Sequence, residues 1–164
     1  MRDLRQRKPN RMANSEYSKN GAYFITVCIQ DKHEILWESG ATCARPPLSE
    51  IGETVENEIT RISSVYRNVV VDCFVVMPNH VHMILVVTAN GQTQIAPTIS
   101  RIIKQWKGSI SKKIGFSPWQ KSFHDHIIRD KNDYYRIVQY IENNPSNWED
   151  DYFYTQPAKP DTPV

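Results

Sequence analysis

The sequence predicts an α+β fold in which helices cover a four-stranded antiparallel sheet. Segments rich in β-branched and aromatic residues occur between segments whose apolar residues recur at helical spacing. Two of the strand segments are joined by a very short turn, which requires them to pair antiparallel. A chain of 164 residues is long enough to bury the core of one such domain.

The first strand and the first helix follow from two local patterns. Residues 23–29 are β-branched or aromatic at nearly every position and form the first strand. Ser49 can cap a helix over residues 50–65, because its hydroxyl can accept from an unpaired amide of the first turn. One side of this helix is apolar, with Ile51, Val55, Ile59 and Ile62 at helical spacing. Residues 39–48 are expected to form a loop.

A hairpin comes next, with its strands over residues 69–77 and 80–87 and its turn at Pro78-Asn79. After His82 both faces of the second of these strands are apolar. This pattern predicts a central strand that is covered on both faces.

The second half of the chain contains two more helices and one more strand. The second helix carries apolar residues from Ile99 to Ile114 on one side and ends at Gly115. A fourth strand is predicted over residues 122–128, and a third helix runs from a cap at Asp130 or Asn132 through Asn143. The order β-α-β-β-α-β is that of a ferredoxin-like sandwich with an added C-terminal helix.

Composition narrows the class of protein. The chain has no run of about 18 apolar residues and no signal peptide at its start, so we expect a cytoplasmic protein without a membrane partner. Its three cysteines are far apart, which predicts reduced thiols. We divide the chain into a basic N-terminal arm (1–20), a folded domain (21–148) and a polar tail (149–164).

Two pairs of residues could carry chemistry. His80 and His82 share one face of a strand and could hold a divalent metal, although such a pair can also be merely polar. Tyr140 and Asn144 share one face of the last helix and lie at the border of its apolar stripe, where a side chain can face a cleft. A half-buried tyrosine and an asparagine that ends the helix would explain the second pair equally well.

Several segments taken together make the sequence recognisable. They are Tyr23-Phe24-Ile25-Thr26-Val27-Cys28, Met77-Pro78-Asn79-His80-Val81-His82, Trp119-Gln120-Lys121-Ser122-Phe123, Asp125-His126-Ile127-Ile128-Arg129 and Tyr140-Ile141-Glu142-Asn143-Asn144-Pro145. Over residues 5–148 the chain resembles the REP-associated tyrosine transposases, which are HUH-type single-strand transposases.

The resemblance implies a function for each residue of the two pairs. His80 and His82 would bind Mg²⁺ or Mn²⁺, and Asn144 would complete the metal site. Tyr140 would be the nucleophile that cleaves single-stranded DNA beside a hairpin and forms a 5′-phosphotyrosine. A 3′-hydroxyl could then attack this link, so strand transfer would be the reverse of the cleavage reaction. Relatives act as monomers or as homodimers that exchange the tyrosine helix, and the sequence leaves both possibilities open.

A net charge of +2 conceals two basic segments that could contact the DNA backbone. They are the second helix, with Arg101, Lys104, Lys107, Lys112 and Lys113, and the arm, with Arg5, Arg7, Lys8 and Arg11. A solvated lysine face is the commoner meaning of such a segment.

Three alternatives stay open at this point. The chain could be a catalytically silent protein that recognises nucleic-acid hairpins. It could be a metal hydrolase with a four-histidine site made from His80, His82, His124 and His126, although a structural or DNA-contacting role fits His126 better. If Tyr140 is not the nucleophile, Tyr134 and Tyr135 are the next candidates.

Overall fold

The structure, a computed structural model, describes residues 20–39, 47–88 and 98–155. Its strands and helices are β1 (Gly21–Cys28), α1 (Glu50–Val65), β2 (Val69–Val76), β3 (His80–Val87), α2 (Ile99–Ile114), β4 (His124–Ile128) and α3 (Lys131–Asn143), with short 3₁₀ helices at Gln30–Lys32 and Pro145–Asp150. The predicted α+β fold and its order of elements are confirmed. The fourth strand begins at His124, two residues later than predicted. Most of the predicted loop over residues 39–48 lies outside the described residues.

The sheet has the strand order β2-β3-β1-β4, and every pair of neighbours is antiparallel. Strand β3 is central, as its apolar faces predicted. In the register of the sheet Thr26 lies between His82 on one side and His124 on the other. The three residues therefore form a row on one face of the sheet.

The two faces of the sheet pack against different helices. Alternate residues of β1 and β3, such as Ile25, Val81 and Met83, form the main core with the buried sides of α1 and α2. Ile84 belongs to a smaller cluster with Ile137 and Ile141 of α3. Because side chains of a strand alternate between its faces, the histidines that flank Val81 lie on the α3 side.

The ends of the helices are set by capping residues. Ser49, Thr98 and Asp130 each accept a hydrogen bond from an amide of the first turn of α1, α2 and α3, respectively. Gly115 ends α2 in the left-handed conformation with φ 87°. After α3 the chain continues at once into the 3₁₀ helix that Pro145 begins. This short helix brings the following residues back to the α3 face of the sheet.

Within the described ranges no helix is long and apolar enough to cross a membrane.

Candidate active site

His80 and His82 are fully buried, and their rings meet over the start of β3. Their side chains are 0% and 1% exposed, and the two Nε2 atoms lie 3.0 Å apart. Two ligands that stand at right angles on an ion about 2.1 Å away are themselves about 3.0 Å apart. The spacing of these two nitrogens therefore suits a shared divalent cation.

Both imidazoles are held in the neutral form. Burial lowers the pKa of His80 to about 3, helped by the positive charge of Lys32. Burial and the neighbouring His80 hold the pKa of His82 well below its ordinary value, although Asp151 opposes this shift. A neutral imidazole has a lone pair to offer, so the shifts favour metal binding at neutral pH.

Tyr140, near the end of α3, brings its hydroxyl to the histidine pair. The hydroxyl oxygen lies 3.3 Å from His82 Nε2 and donates to Asp151 Oδ2 at 3.0 Å. Burial raises the pKa of Tyr140 to about 12, and the negative charge of Asp151 adds to this shift. The phenol is thus protonated at neutral pH, and its proton already points at a carboxylate.

Asn144 is 3% exposed, and only one of the two polar atoms of its side chain has a hydrogen-bond partner. Its Nδ2 donates to Asp151 Oδ2 at 3.0 Å, whereas its Oδ1 is buried and has no hydrogen-bond partner. Leaving a buried acceptor unpaired costs about 1–3 kcal/mol. Because amide oxygen is a ligand that Mg²⁺ and Mn²⁺ accept, this orphaned atom fits a cation at the site.

Asp151 is the site residue that the sequence analysis missed. One oxygen of its carboxylate accepts from both Tyr140 and Asn144. The ligand atoms of His80, His82 and Asp151 all lie within 4.8 Å of one another, an arrangement consistent with a divalent metal. The acidic run Glu149-Asp150-Asp151 is visible in the sequence. No local sequence pattern, however, indicates that the chain packs against the sheet at Asp151.

The ring of Phe153 packs against both histidines. Its ring centroid lies 4.6 Å from that of His80 and 6.2 Å from that of His82. Part of the segment predicted as a polar tail therefore packs directly on the site.

The basic residues of α2 that were predicted to contact DNA lie on the other side of the sheet from α3. Helix α2 covers the face of the sheet opposite α3, so its exposed Arg101, Lys104 and Lys112 are not beside Tyr140. Lys107 donates to the backbone oxygens of residues 120 and 122, and Lys113 pairs with Glu58. The residues Arg5, Arg7, Lys8 and Arg11 lie outside the described residues.

The second histidine pair does not join the first. His126 Nε2 contacts Asp133 Oδ2 at 2.7 Å, and His124 is exposed on β4. Among the residues that the structure describes, neither belongs to the group that could hold a metal, so the four-histidine site is not formed.

The two alternative tyrosines are placed elsewhere. The hydroxyl of Tyr134 donates to Asp72 on β2 at 2.6 Å, and Tyr135 is 61% exposed. Of the three tyrosines considered, Tyr140 has its hydroxyl against the histidine pair.

The fold of this chain, an antiparallel sheet with an added C-terminal helix, is shared with a solved transposase structure. The chain is similar to a REP-associated tyrosine transposase whose solved structure is bound to a REP hairpin, with a TM-score of 0.61 and 22% identity over 90% of this chain and 74% of that one. The predicted resemblance is confirmed at the level of the fold.

Two proteins of Haemophilus influenzae strain Rd are also similar. One, named "Uncharacterized protein", is 28% identical over 92% of this chain and 94% of its own length. The other, named "Putative REP-associated tyrosine transposase", is 22% identical over 79% of this chain and 73% of its own length. No family model matches the chain.

Proposed function

We propose that this protein is a metal-dependent single-stranded DNA endonuclease and strand transferase that cleaves beside hairpins through a 5′-phosphotyrosine. The observation that carries the proposal is the position of the Tyr140 hydroxyl, 3.3 Å from His82 Nε2 and 3.0 Å from Asp151 Oδ2. A nucleophile, a proton acceptor and candidate metal ligands thus meet within one chain.

The metal site would be formed by His80, His82 and Asp151, with the amide oxygen of Asn144 as a further ligand. A bound Mg²⁺ or Mn²⁺ neutralises the charge of a phosphate and lets a nucleophile approach it. The amide oxygen of Asn144 has no hydrogen bond to lose to such an ion, whereas His82 Nε2 would give up its contacts with His80 and Tyr140.

Tyr140 would attack the phosphorus atom of the scissile phosphate. The bond from the phenol oxygen to phosphorus forms, the bond from phosphorus to the 3′ oxygen breaks, and the phenol proton passes to Asp151. The leaving 3′ oxygen takes up a proton from solvent and departs as a 3′-hydroxyl, and Asp151 releases the phenol proton to solvent. In the reverse direction a 3′-hydroxyl from another strand attacks the phosphotyrosine, and the phosphodiester is restored without external energy.

The proposed partner is single-stranded DNA that carries a hairpin. The structural neighbour with a TM-score of 0.61 is bound to a REP hairpin, which supports a substrate of this kind. The exposed cations of α2 and the basic arm are candidates for contacts with the phosphate backbone. Because α2 covers the other face of the sheet, a DNA that used both surfaces would have to pass around an edge of the sheet.

The test uses hairpin oligonucleotides with single-stranded flanks, labelled at the 5′ or the 3′ end, and Mn²⁺. Wild-type protein is expected to form a covalent adduct with the 3′-labelled product and to release the 5′-labelled product. Tyr140→Phe is expected to form none, whereas Tyr135→Phe on the same helix keeps full activity. An adduct that persists in Tyr140→Phe would refute the assignment of the nucleophile.

One observation favours a second candidate, a hairpin-binding protein without catalysis. A phenol with a pKa of about 12 that is hydrogen-bonded to a carboxylate is a poor nucleophile until its proton is removed. The same assay separates the two functions, because a silent protein shifts the hairpin in a gel but forms no adduct with Mg²⁺, Mn²⁺ or other divalent ions.

A further inference from the structure

Each histidine of the pair has a second ring nitrogen that contacts a different buried side chain. Asn79 Oδ1 lies 2.9 Å from His80 Nδ1, and Thr26 Oγ1 lies 2.8 Å from His82 Nδ1. Asn79 is 1% exposed and Thr26 is 5% exposed. A neutral imidazole carries one proton, so the partner at Nδ1 decides whether Nε2 carries a proton or a lone pair.

Asn79 can act only as an acceptor toward His80. Its Nδ2 donates to the backbone oxygens of Lys32 at 3.3 Å and Phe153 at 2.9 Å. These two bonds fix the orientation of the amide, because an amide oxygen could not replace the nitrogen there. His80 therefore carries its proton on Nδ1 and presents the lone pair of Nε2 to the site.

His82 has the opposite arrangement in this structure. Its Nε2 faces two acceptors, the lone pair of His80 Nε2 at 3.0 Å and the oxygen of Tyr140 at 3.3 Å. The Tyr140 oxygen can only accept here, since its own proton goes to Asp151. His82 thus carries its proton on Nε2, and its Nδ1 accepts from the hydroxyl of Thr26.

A cation that binds both Nε2 atoms needs a lone pair on each, so the proton of His82 must move to Nδ1. We propose that Asn79 and Thr26 are positioning residues that make the histidine pair competent for metal. Asn79 holds His80 permanently in the metal-binding tautomer. Thr26 can donate to or accept from His82, so a rotation of its hydroxyl lets His82 change tautomer and keep this hydrogen bond. The inference rests on the proposed metal site and does not depend on DNA cleavage.

The tautomers can be observed directly by long-range ¹H–¹⁵N NMR of the histidine side chains. In protein treated with EDTA we expect the proton of His80 on Nδ1 and that of His82 on Nε2. Saturation with Mg²⁺ is expected to leave His80 unchanged and to move the His82 proton to Nδ1. A proton on His80 Nε2, or on His82 Nδ1 in EDTA, would overturn the inference.

Metal affinity tests Thr26 separately. Thr26→Val keeps the shape of the side chain and leaves His82 Nδ1 without a partner, so it is expected to raise the Kd for Mn²⁺ about 10-fold or more. Thr26→Ser retains the hydroxyl and is expected to bind Mn²⁺ nearly as tightly as wild type. Free Mn²⁺ is measured by electron paramagnetic resonance, without DNA.

The outcomes of the affinity test separate this inference from the proposed function. Wild-type affinity in Thr26→Val, or an equal loss in Thr26→Ser, would overturn the role of the hydroxyl. Protein that binds Mn²⁺ as expected but never joins DNA would overturn the proposed function alone. Wild-type protein that binds no Mn²⁺ would overturn both.

Discussion

At the scale of single residues, the carboxylate of Asp151 links Tyr140 to Asn144 beside the histidine pair. It accepts from Tyr140 and Asn144 through one oxygen, and its other oxygen accepts from the amide of Phe153 at 2.7 Å. The carboxylate therefore has no freedom to rotate without breaking several bonds. This rigidity fixes where the phenol proton of Tyr140 points.

Asp151→Asn is expected to lower the pKa of Tyr140 from about 12 toward its ordinary value. Burial, the first cause of the raised pKa, persists in the variant, but the negative charge that favours the protonated phenol is lost. The measurement is a pH titration of the ¹³Cζ resonances of labelled tyrosine, with Tyr140→Phe to assign the signal. Asp150→Asn, at an exposed neighbouring position, serves as the control. An unchanged pKa in Asp151→Asn would mean that burial alone raises it.

The sequence could indicate four of the site residues because each belongs to a periodic element. His80 and His82 alternate along a strand, and Tyr140 and Asn144 are one turn apart on a helix, so local spacing already places each pair on one face. Asp151 follows a 3₁₀ helix whose direction depends on packing against the sheet. No local pattern encodes that direction, and the carboxylate could not be predicted.

At the scale of the elements, the start of helix α1 packs closely against the backbone at Leu36. This close approach is possible because Gly52 has no side chain. A Cβ at this position would lie 2.0 Å from the backbone oxygen of Leu36. That oxygen also accepts from the amide of Ser49, so it cannot move away freely. The start of α1 can take this position only with glycine at residue 52.

Gly52→Ala is therefore expected to destabilise the protein by about 1–3 kcal/mol or more, as overpacked sites do. Gly108→Ala is the matched control on α2, because a Cβ there meets no atom within 4 Å. It is expected to stabilise the protein by up to about 1 kcal/mol through helix propensity. Both changes are measured by urea unfolding. Equal effects of the two substitutions would contradict this packing of α1.

Glu58 is buried and joins α1 to α2 through a cluster of hydrogen bonds that includes two exposed cations. It is 5% exposed and accepts from Arg61 of its own helix and from Ser109 and Lys113 of α2. Burial alone would raise the pKa of Glu58, but these hydrogen bonds outweigh burial and lower the pKa to about 2. The cluster contributes to stability wherever Glu58 is ionised.

Glu58→Gln is expected to cost about 1–3 kcal/mol at pH 7, since it removes the charge from a buried hydrogen-bonded group. Because the folded pKa is depressed, this contribution is fully present above the ordinary value of 4.5 and is lost as the pH falls toward about 2. Urea unfolding from pH 7 to pH 3 should show the wild type and the variant converging at low pH. Glu56→Gln, on the same helix outside the cluster, should show no such convergence.

The secondary structure was the most predictable level of the molecule. The apolar residues at helical spacing predicted where α1 and α2 lie, with Ser49 as the cap of α1 and Gly115 as the end of α2. Thr98, the cap of α2, was not identified from the sequence. Strand β4 has partly exposed positions throughout and weak alternation, and its predicted start was two residues early. The placement of α2 away from the site is a tertiary property, and the charge pattern of the helix alone could not show it.

At the scale of the whole molecule, one chain contains every residue of the candidate site. The 3.3 Å distance between Tyr140 and His82 is an intramolecular one, and α3 packs on the sheet of its own chain through Ile137 and Ile141. Exchange of the tyrosine helix between two copies is thus not needed to complete the site. We therefore predict that a single chain can act alone.

Mixing two inactive variants tests this arrangement. We expect that His82→Ala and Tyr140→Phe, each without adduct formation on a hairpin oligonucleotide, remain inactive when combined at any ratio, because neither chain then has both a metal ligand pair and a nucleophile. When wild-type protein is mixed with either variant, the yield of covalent adduct should depend only on the concentration of the wild-type protein. If the site were shared, helix exchange would instead form mixed dimers with one intact site, and the mixture would recover part of the wild-type adduct. Recovered adduct would therefore show that Tyr140 acts on the histidines of a second copy.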